Sequence, residues 1–202
     1  MSMTAENKKI LEDKRTSEIQ AAAKKLFSIY GYCHTSMDSV AVEAGISKGL
    51  IYHYFKNKED LLLSFSDEVE EYLHKLKKEK NPVTALKRFG TDFLTSDESK
   101  YADMPPIQLL LITFANQEMD ISKYEKQNPI LRDFGRGYLG GFFQQGIDAG
   151  IFQNGNAKVY GDIYWSFLMG KLLPIKKGNE KGKPEVYVDE ILMLFIKKKQ
   201  EG

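Results

Sequence analysis

Apolar residues recur at helical spacing along most of this sequence, and that periodicity restricts the fold more than any other feature. The first clear stripe follows the pattern i, i+3, i+4, i+7, i+8 and i+11 and consists of Ile19, Ala22, Ala23, Leu26, Phe27 and Tyr30. A stripe of this kind is typical of an amphipathic α-helix. No convincing run alternates apolar and polar residues as a half-buried strand does, so the sequence predicts an all-α fold.

Capping residues and prolines indicate where the helices begin and end. Gly31 and Gly45 suit helix C-termini, while Ser47 and Asn57 suit N-caps. Thr35-x-x-Asp38 has the spacing of a capping box. We therefore expect about nine helices: one ending at Gly31, two short ones over 37–44 and 47–55, a long one from Asn57 to about Leu76, and later ones from Pro82 and over about 106–119, 129–149, 157–173 and 184–199.

Residues 36–55 show the pattern of two short helices joined by a tight turn. The turn falls at residues 43–46, and Gly45 supplies a residue that tolerates positive φ. Ala41 provides a small side chain where the two helices cross, and Ile46 provides an apolar plug. This arrangement predicts a helix-turn-helix.

The second helix of that motif has distinct inward and outward faces. Ile51 and Phe55 are four residues apart and are expected to point inward. The outward residues are then Lys48, Gly49, Tyr52 and His53. In helix-turn-helix proteins this outward face enters the major groove of DNA. Residues 47–58 contain three lysines and no acidic residue, although the whole chain carries a net charge of only +1.

Residues 15–62 contain a longer motif that resembles the tetracycline-repressor (TetR) family. The strongest part is GISKGLIYHYFKNKEDLL at residues 45–62, and it is preceded by Ile19-x-x-Ala22-Ala23-x-x-Leu26-Phe27-x-x-x-Gly31-Tyr32. The resemblance covers about the first quarter of the chain. It implies a dimeric, all-α transcriptional regulator, expected to be a repressor that a small-molecule effector releases from a palindromic operator.

The resemblance also implies which residues contact DNA. Ser47, Lys48, Gly49, Leu50, Tyr52 and His53 stand where the family contacts bases and phosphates, Thr35 and Ser36 where it approaches the DNA backbone, and Lys58 where it meets a phosphate. Leu50 departs from the hydroxyl or other small side chain that the family often has there. A leucine cannot hydrogen-bond a base edge, so contact with a thymine methyl group is expected instead.

A change of composition near Lys58 separates an N-terminal DNA-binding domain, residues 1–57, from a C-terminal domain, residues 58–202, for effector binding and dimerisation. Residues 163–174 and 191–196 are apolar nearly all round, beyond the single stripe of a surface helix. We expect the last two helices to form a homodimer interface, with a central position in a monomeric core as the alternative. The candidate effector-binding residues are Phe93, Met104, Phe114, Tyr138, Phe142, Trp165 and Met169.

Several residues have plainer interpretations. Tyr52 and Tyr54 can be core aromatics, and His53 an exposed helix histidine. The stretch Gly135–Gly140 matches GxGxxG, but no strand precedes it, so we reject a dinucleotide site. Close helix packing, a kink and room for a ligand all remain open for these glycines.

The composition excludes some classes of protein. Cys33 is the only cysteine, and no apolar run approaches 18 residues, so we expect a cytoplasmic protein without a membrane span. No cofactor or metal is expected, because HExxH, GxSxG, a phosphate loop and paired His/Cys ligands are all missing from the sequence. We expect a protein that is not an enzyme. The alternative is a small-molecule-binding helical protein or enzyme whose N-terminal motif is only structural.

Overall fold

A computed structural model describes residues 5–95, 106–115, 133–172 and 182–198 of the chain. Its helices are α1 Ala5–Tyr30, α2 Met37–Glu43, α3 Lys48–Tyr54, α4 Lys58–Leu63, α5 Ser66–Lys77, α6 Pro82–Leu94, α7 Pro106–Ala115, α8 Gly140–Asp148, α9 Ala157–Leu172 and α10 Pro184–Met193. A π-helical segment, Phe134–Leu139, runs directly into α8. The predicted all-α class is confirmed, since the described residues hold only one isolated bridge, Phe152 to Ile196, outside their helices.

The described residues form two compact units. The first contains residues 5–71 and 106–115, and the second contains residues 72–95, 133–172 and 182–198. The core of the N-terminal helices buries Ile19, Ala23, Phe27, Val40, Ile51, Leu61 and Leu62. Burying one large aliphatic or aromatic side chain contributes about 1.5–3 kcal/mol, so this core holds α2 and α4 on α1 and α3 on α2.

The N-cap of α2 differs from the prediction by one residue. The capping box is Ser36 with Ser39, because each serine hydroxyl accepts from the other's backbone N–H at 3.0 Å. Thr35 is instead buried, and its hydroxyl donates to the carbonyl of Gly31 at 2.9 Å. Both residues carry a hydroxyl, so sequence alone did not distinguish them.

The predicted long fourth helix is interrupted at Ser64 and Phe65, which separate α4 from α5. The Ser64 hydroxyl donates to the carbonyl of Leu61 at 2.7 Å and accepts from the Gln20 amide of α1 at 2.9 Å. Serine that bonds nearby backbone competes with the regular helical ladder. The apolar periodicity continues through Ser64 and Phe65, so the pattern predicted one helix.

Gly135 and Gly140 lie at a close contact with α9. A Cβ atom placed on Gly161 of α9 would overlap the carbonyl oxygen of Gly135 and lie 2.6 Å from the backbone nitrogen of Gly140. Close helix packing is therefore observed at Gly135 and Gly140, whereas the atoms nearest to a Cβ on Gly137 belong to the Asp133 side chain. The GxGxxG match lies within continuous helix, so the segment is no strand-to-helix phosphate turn.

The last helix ends at Met193, earlier than the predicted Lys199. Beyond Met193, the backbone N–H of Gln153 donates to the carbonyl of Phe195, and the backbone N–H of Lys197 donates to the carbonyl of Ile151, both at 2.9 Å. The Phe195 ring also packs edge-on against Phe143, with centroids 4.9 Å apart. These tertiary contacts draw residues 194–197 out of the helix. The predicted helix ends near 119, 129 and 173 lie outside the described residues.

Candidate nucleic-acid interface

The turn between α2 and α3 has the geometry that the sequence predicts. Gly45 adopts φ +65°, its amide donates to Val42 at 3.1 Å, and the Ile46 amide donates to Ala41 at 2.9 Å. These two bonds are those of a Schellman motif, which satisfies the last carbonyls of α2. Four residues, 44–47, therefore suffice to pass from α2 to α3.

Helix α3 begins at a serine cap and divides into two faces. The Ser47 hydroxyl accepts from the Leu50 amide at 3.3 Å, while Ile51 is fully buried and Phe55 closes the inward face. Tyr52 is 45% exposed, so its side chain is presented to solvent as predicted. The remaining outward residues are Lys48, Gly49, Leu50 and His53. The orientation of α3 is confirmed, and contact of these side chains with DNA stays a prediction.

Gly49 of α3 borders open space, whereas Tyr54 of the same helix is half-buried. A Cβ atom on Gly49 would meet no atom within 4 Å, so open space lies above the backbone at this point of the outward face. Tyr54 is half-buried, and its ring packs edge-on against His53 with centroids 5.5 Å apart. Tyr54 therefore belongs partly to the packing of α3, whereas Tyr52 does not.

An ion pair that the sequence did not reveal crosses this surface. The Lys48 ammonium lies 2.6 Å from a carboxylate oxygen of Asp38, which stands in the first turn of α2. The hydrogen bond that Lys48 donates to Asp38, followed by the negative charge of that carboxylate, raises the pKa of Lys48 above its ordinary value. Ten residues and a turn separate the two, so only the folded helix pair brings them together.

Lys58, the first residue of α4, is held by contacts with the loop between α1 and α2. Its ammonium donates to the carbonyls of Tyr32 at 2.6 Å and Thr35 at 2.8 Å, and it lies 4.3 Å from the centre of the Tyr32 ring. A weaker bond of 3.4 Å reaches Cys33. Lys58 thus ties α4 to the loop between α1 and α2. The sequence predicts a phosphate contact from Lys58, but in the free protein this ammonium already has carbonyl acceptors.

Of the two hydroxyls predicted near the DNA backbone, only Ser36 is exposed. Its side chain is engaged in the capping box, and its position at the N-terminus of α2 leaves it open to solvent. Thr35 is only 4% exposed, so its hydroxyl is not presented to a ligand.

Four of the seven predicted effector-binding residues belong to one aromatic cluster in the second unit. Phe93 and Trp165 have ring centroids 5.1 Å apart, and Tyr138 and Phe142 have centroids 5.6 Å apart. Phe134, which sequence analysis did not single out, joins the two pairs, since its ring lies 5.1 Å from both Trp165 and Tyr138. Met169 is half-buried one turn beyond Trp165, whereas Met104 and the Phe114 side chain lie outside the described residues.

Apolar side chains are exposed on the last two helices. Val159 and Ile163 are 40% and 45% exposed on α9, and Val186 and Met193 are 53% and 61% exposed on α10. The same helices bury Tyr164, Leu168, Val188 and Leu192 on another side. Both helices are therefore apolar on more than one face, as their sequences predict.

The described residues contain neither a cluster suited to a metal ion nor a helix suited to a membrane span. No group of three or more His, Cys, Asp or Glu side chains is arranged to hold a metal ion there. Within the same residues, no helix combines the length and hydropathy needed to cross a bilayer.

This chain is similar in sequence to known regulatory proteins. The uncharacterized HTH-type transcriptional regulator YfiR of Bacillus subtilis (strain 168) is 32% identical over 148 residues, 70% of this chain and 70% of its own length. The fatty acid metabolism regulator protein of the same organism is 26% identical over 157 residues, 72% of this chain and 75% of that protein.

Solved structures share the fold at low sequence identity. A TetR-family transcriptional regulator from Agrobacterium tumefaciens has a TM-score of 0.73 at 17% identity, covering 92% of this chain and 100% of its own. AibR, solved in complex with isovaleryl coenzyme A and operator DNA, has a TM-score of 0.67 at 18% identity, covering 90% and 97%. Residues 19–65 match the family model described as bacterial regulatory proteins, tetR family. With its exposed recognition helix, this chain belongs to the tetR family of bacterial transcriptional regulators.

Proposed function

We propose that this regulator is a homodimeric repressor that binds a palindromic operator and leaves it when a small molecule binds. The observation that carries this proposal is the outward face of α3, where Tyr52 and Lys48 are exposed while Ile51 of the same helix is fully buried. A helix presented in this way by a helix-turn-helix enters the major groove.

The DNA-binding part is residues 1–57, with the roles divided along α2 and α3. Lys48 and Tyr52 are suited to bases and phosphates, since one supplies a cation and the other an aromatic ring with a hydroxyl. Leu50, which is 36% exposed, can contact a thymine methyl group. Gly49 leaves room for the DNA backbone to approach α3 closely. Ser36 and His53 stand beside this surface, and Lys58 supports it through the loop before α2.

Dimerisation through α9 and α10 is supported by their exposed apolar residues. Val159 and Ile163 are four residues apart and so lie on one face of α9, and Val186 and Met193 are seven apart on α10. Burying such side chains against a second copy removes apolar surface from water. A two-fold axis then relates two recognition helices, which suits a palindromic DNA site.

The effector is proposed to be an apolar or aromatic small molecule bound by residues 58–202. The aromatic cluster around Phe134 and Trp165 supports this chemistry, because ligand sites are lined mainly by apolar and aromatic side chains. The names of a fatty acid metabolism regulator and of a neighbour solved with isovaleryl coenzyme A suggest acyl compounds as the first class to test. The protein is proposed to act in the cytoplasm, without a catalytic role.

Selection of bound fragments from a random pool of DNA duplexes tests this function. We expect enrichment of an inverted repeat whose half-sites are centred about one helical turn, or a multiple of it, apart. Acyl-coenzyme A compounds and free fatty acids are then added to the complex, and at least one is expected to release the DNA. Recovery of fragments with no common sequence would contradict the proposal.

A further inference from the structure

The ion pair between Asp38 and Lys48 lies on the surface that we assign to DNA. Both side chains are open to solvent, with exposures of 53% for Asp38 and 68% for Lys48. Asp38 is two residues from Ser36, and Lys48 opens α3. A carboxylate therefore stands among groups that would approach a polyanion, a position where its charge opposes binding.

The pairing changes the charge that the recognition surface offers. Residues 47–58 carry three lysines, and the sequence predicts a local charge of +3. In the structure, Asp38 neutralises the Lys48 ammonium, while the Lys58 ammonium is turned onto backbone carbonyls. The free protein thus presents less positive charge to DNA than the sequence indicates, because Lys48 is paired with a carboxylate.

We propose that Asp38 is a specificity-determining residue, which holds Lys48 on the protein unless the operator offers that ammonium a better acceptor. This inference rests on the proposed function. An exposed ion pair is weak, so a well-placed base edge or phosphate can displace Asp38. On unrelated DNA, Lys48 stays paired and the carboxylate repels the nearby phosphates. Asp38 therefore lowers non-specific affinity more than operator affinity.

The salt dependence of binding provides a direct readout of this competition. Each phosphate that a lysine neutralises contributes about −0.9 to the slope of log K against log salt concentration. If Lys48 remains with Asp38 on unrelated DNA, that increment is missing there and present on the operator. Replacing Asp38 by asparagine should restore it on unrelated DNA.

The experiment uses the full chain, an operator duplex recovered from the random pool and a scrambled duplex of the same length. Asp38→Asn is compared with wild type and with Asp67→Asn, a change of the same charge at an exposed residue of α5. We expect Asp38→Asn to bind the scrambled duplex about fivefold more tightly near 0.1 M salt, with a slope steeper by about 0.9. Its operator affinity should change less than twofold, and Asp67→Asn should leave both affinities unchanged.

A second pair of variants tests whether Asp38 acts through Lys48. In a Lys48→Gln background, Asp38→Asn should no longer steepen the slope on scrambled DNA. An equal slope change in both backgrounds would overturn the proposal, since repulsion alone would then explain it. Thermal melts of every variant separate these effects from misfolding. If Asp38→Asn does not fold, Asp38→Ser replaces it in the same measurements.

The outcomes also distinguish this inference from the proposed function. If wild type prefers the operator but Asp38→Asn raises the affinity for both duplexes equally, or for neither, the role of Asp38 is wrong and the function stands. Loss of operator binding in a folded Asp38→Asn protein would likewise refute the role. If wild type shows no preference for any duplex, the repressor proposal fails and this inference fails with it.

Discussion

The helix pair α2–α3 and the pair formed by the π-helical segment with α9 use glycine in different ways. Gly45 provides a positive φ in the turn, and a Cβ atom there would meet no atom within 4 Å. Gly161 has ordinary helical backbone, and its missing side chain lets α9 approach the backbone of Gly135 and Gly140. The first requirement is set by local chain conformation, while the second arises only when distant segments meet.

This difference separates what each region contributes to the protein. The α2–α3 pair is small, and its outward face remains open to a ligand. The contact of α9 with the π-helical segment and the start of α8 brings backbone so close that no methyl group fits at Gly161. We therefore expect changes on α3 to affect DNA binding, and changes at the α9 contact to affect stability.

The largest effect is expected for Gly161→Ala. Because the added methyl group overlaps backbone atoms of Gly135 and Gly140, the variant should lose about 3 kcal/mol of unfolding free energy, at the upper end of overpacking. Urea denaturation measures the loss. Gly141→Ala, where the added atom meets nothing within 4 Å, is the control and should gain about 0.5–1 kcal/mol. Equal unfolding free energies of the two variants would contradict the claim that close backbone packing at Gly161 excludes a methyl group.

Tyr52→Ala should weaken operator binding by roughly 1–3 kcal/mol if its ring reads a base. Its melting temperature should stay near that of wild type, because the side chain is 45% exposed. Fluorescence anisotropy with a labelled operator duplex measures the loss. Tyr30→Ala, at an exposed tyrosine of α1, is the matched control and should bind normally. A Tyr52 variant that melts early with unchanged affinity would show a packing role instead.

Lys58→Met tests whether protein stability and operator affinity depend on the same contacts. It removes charge-assisted bonds to the carbonyls of Tyr32 and Thr35, which on a half-buried lysine is worth about 1–2 kcal/mol of stability. We expect both the melting temperature and operator affinity to fall, with an unchanged salt slope, because the lysine positions the loop before α2. Lys56→Met, at an exposed neighbour, controls for the lost charge. A slope reduced by about one would instead support a direct phosphate contact.

The smallest expected effect is that of Gly45→Ala. Only the cost of placing alanine in the left-handed region applies, about 1 kcal/mol, since no neighbouring atom obstructs the methyl group. Chemical denaturation should therefore show about a third of the loss seen for Gly161→Ala. A loss as large as that variant's would mean that the turn is constrained by more than its φ angle.

The sequence predicted most of the features that depend on nearby residues. The turn at Gly45, the cap at Ser47 and the buried Ile51 all follow from spacing within a few positions, and all are observed. The family motif added the role of the outward face, which neither composition nor net charge indicates.

Features that depend on distant residues were missed. Asp38 and Lys48 meet only after the turn folds, and Lys58 finds its carbonyls more than twenty positions away. The end of α10 at Met193 is set by pairing with residues 151–153, which no helical periodicity records. Phe134 joins the aromatic cluster through a π-helical segment, whose spacing differs from the regular helix assumed in reading the sequence.

Photo-crosslinking from position 52 tests most directly whether the outward face of α3 lies in a DNA groove. A photoreactive phenylalanine analogue replaces Tyr52 in one preparation and Tyr30 in another, and each is irradiated with the operator duplex. We predict a covalent adduct from position 52, mapped to bases within a half-site, and none from position 30. Adducts from position 30 alone, while both preparations bind the operator, would contradict the account.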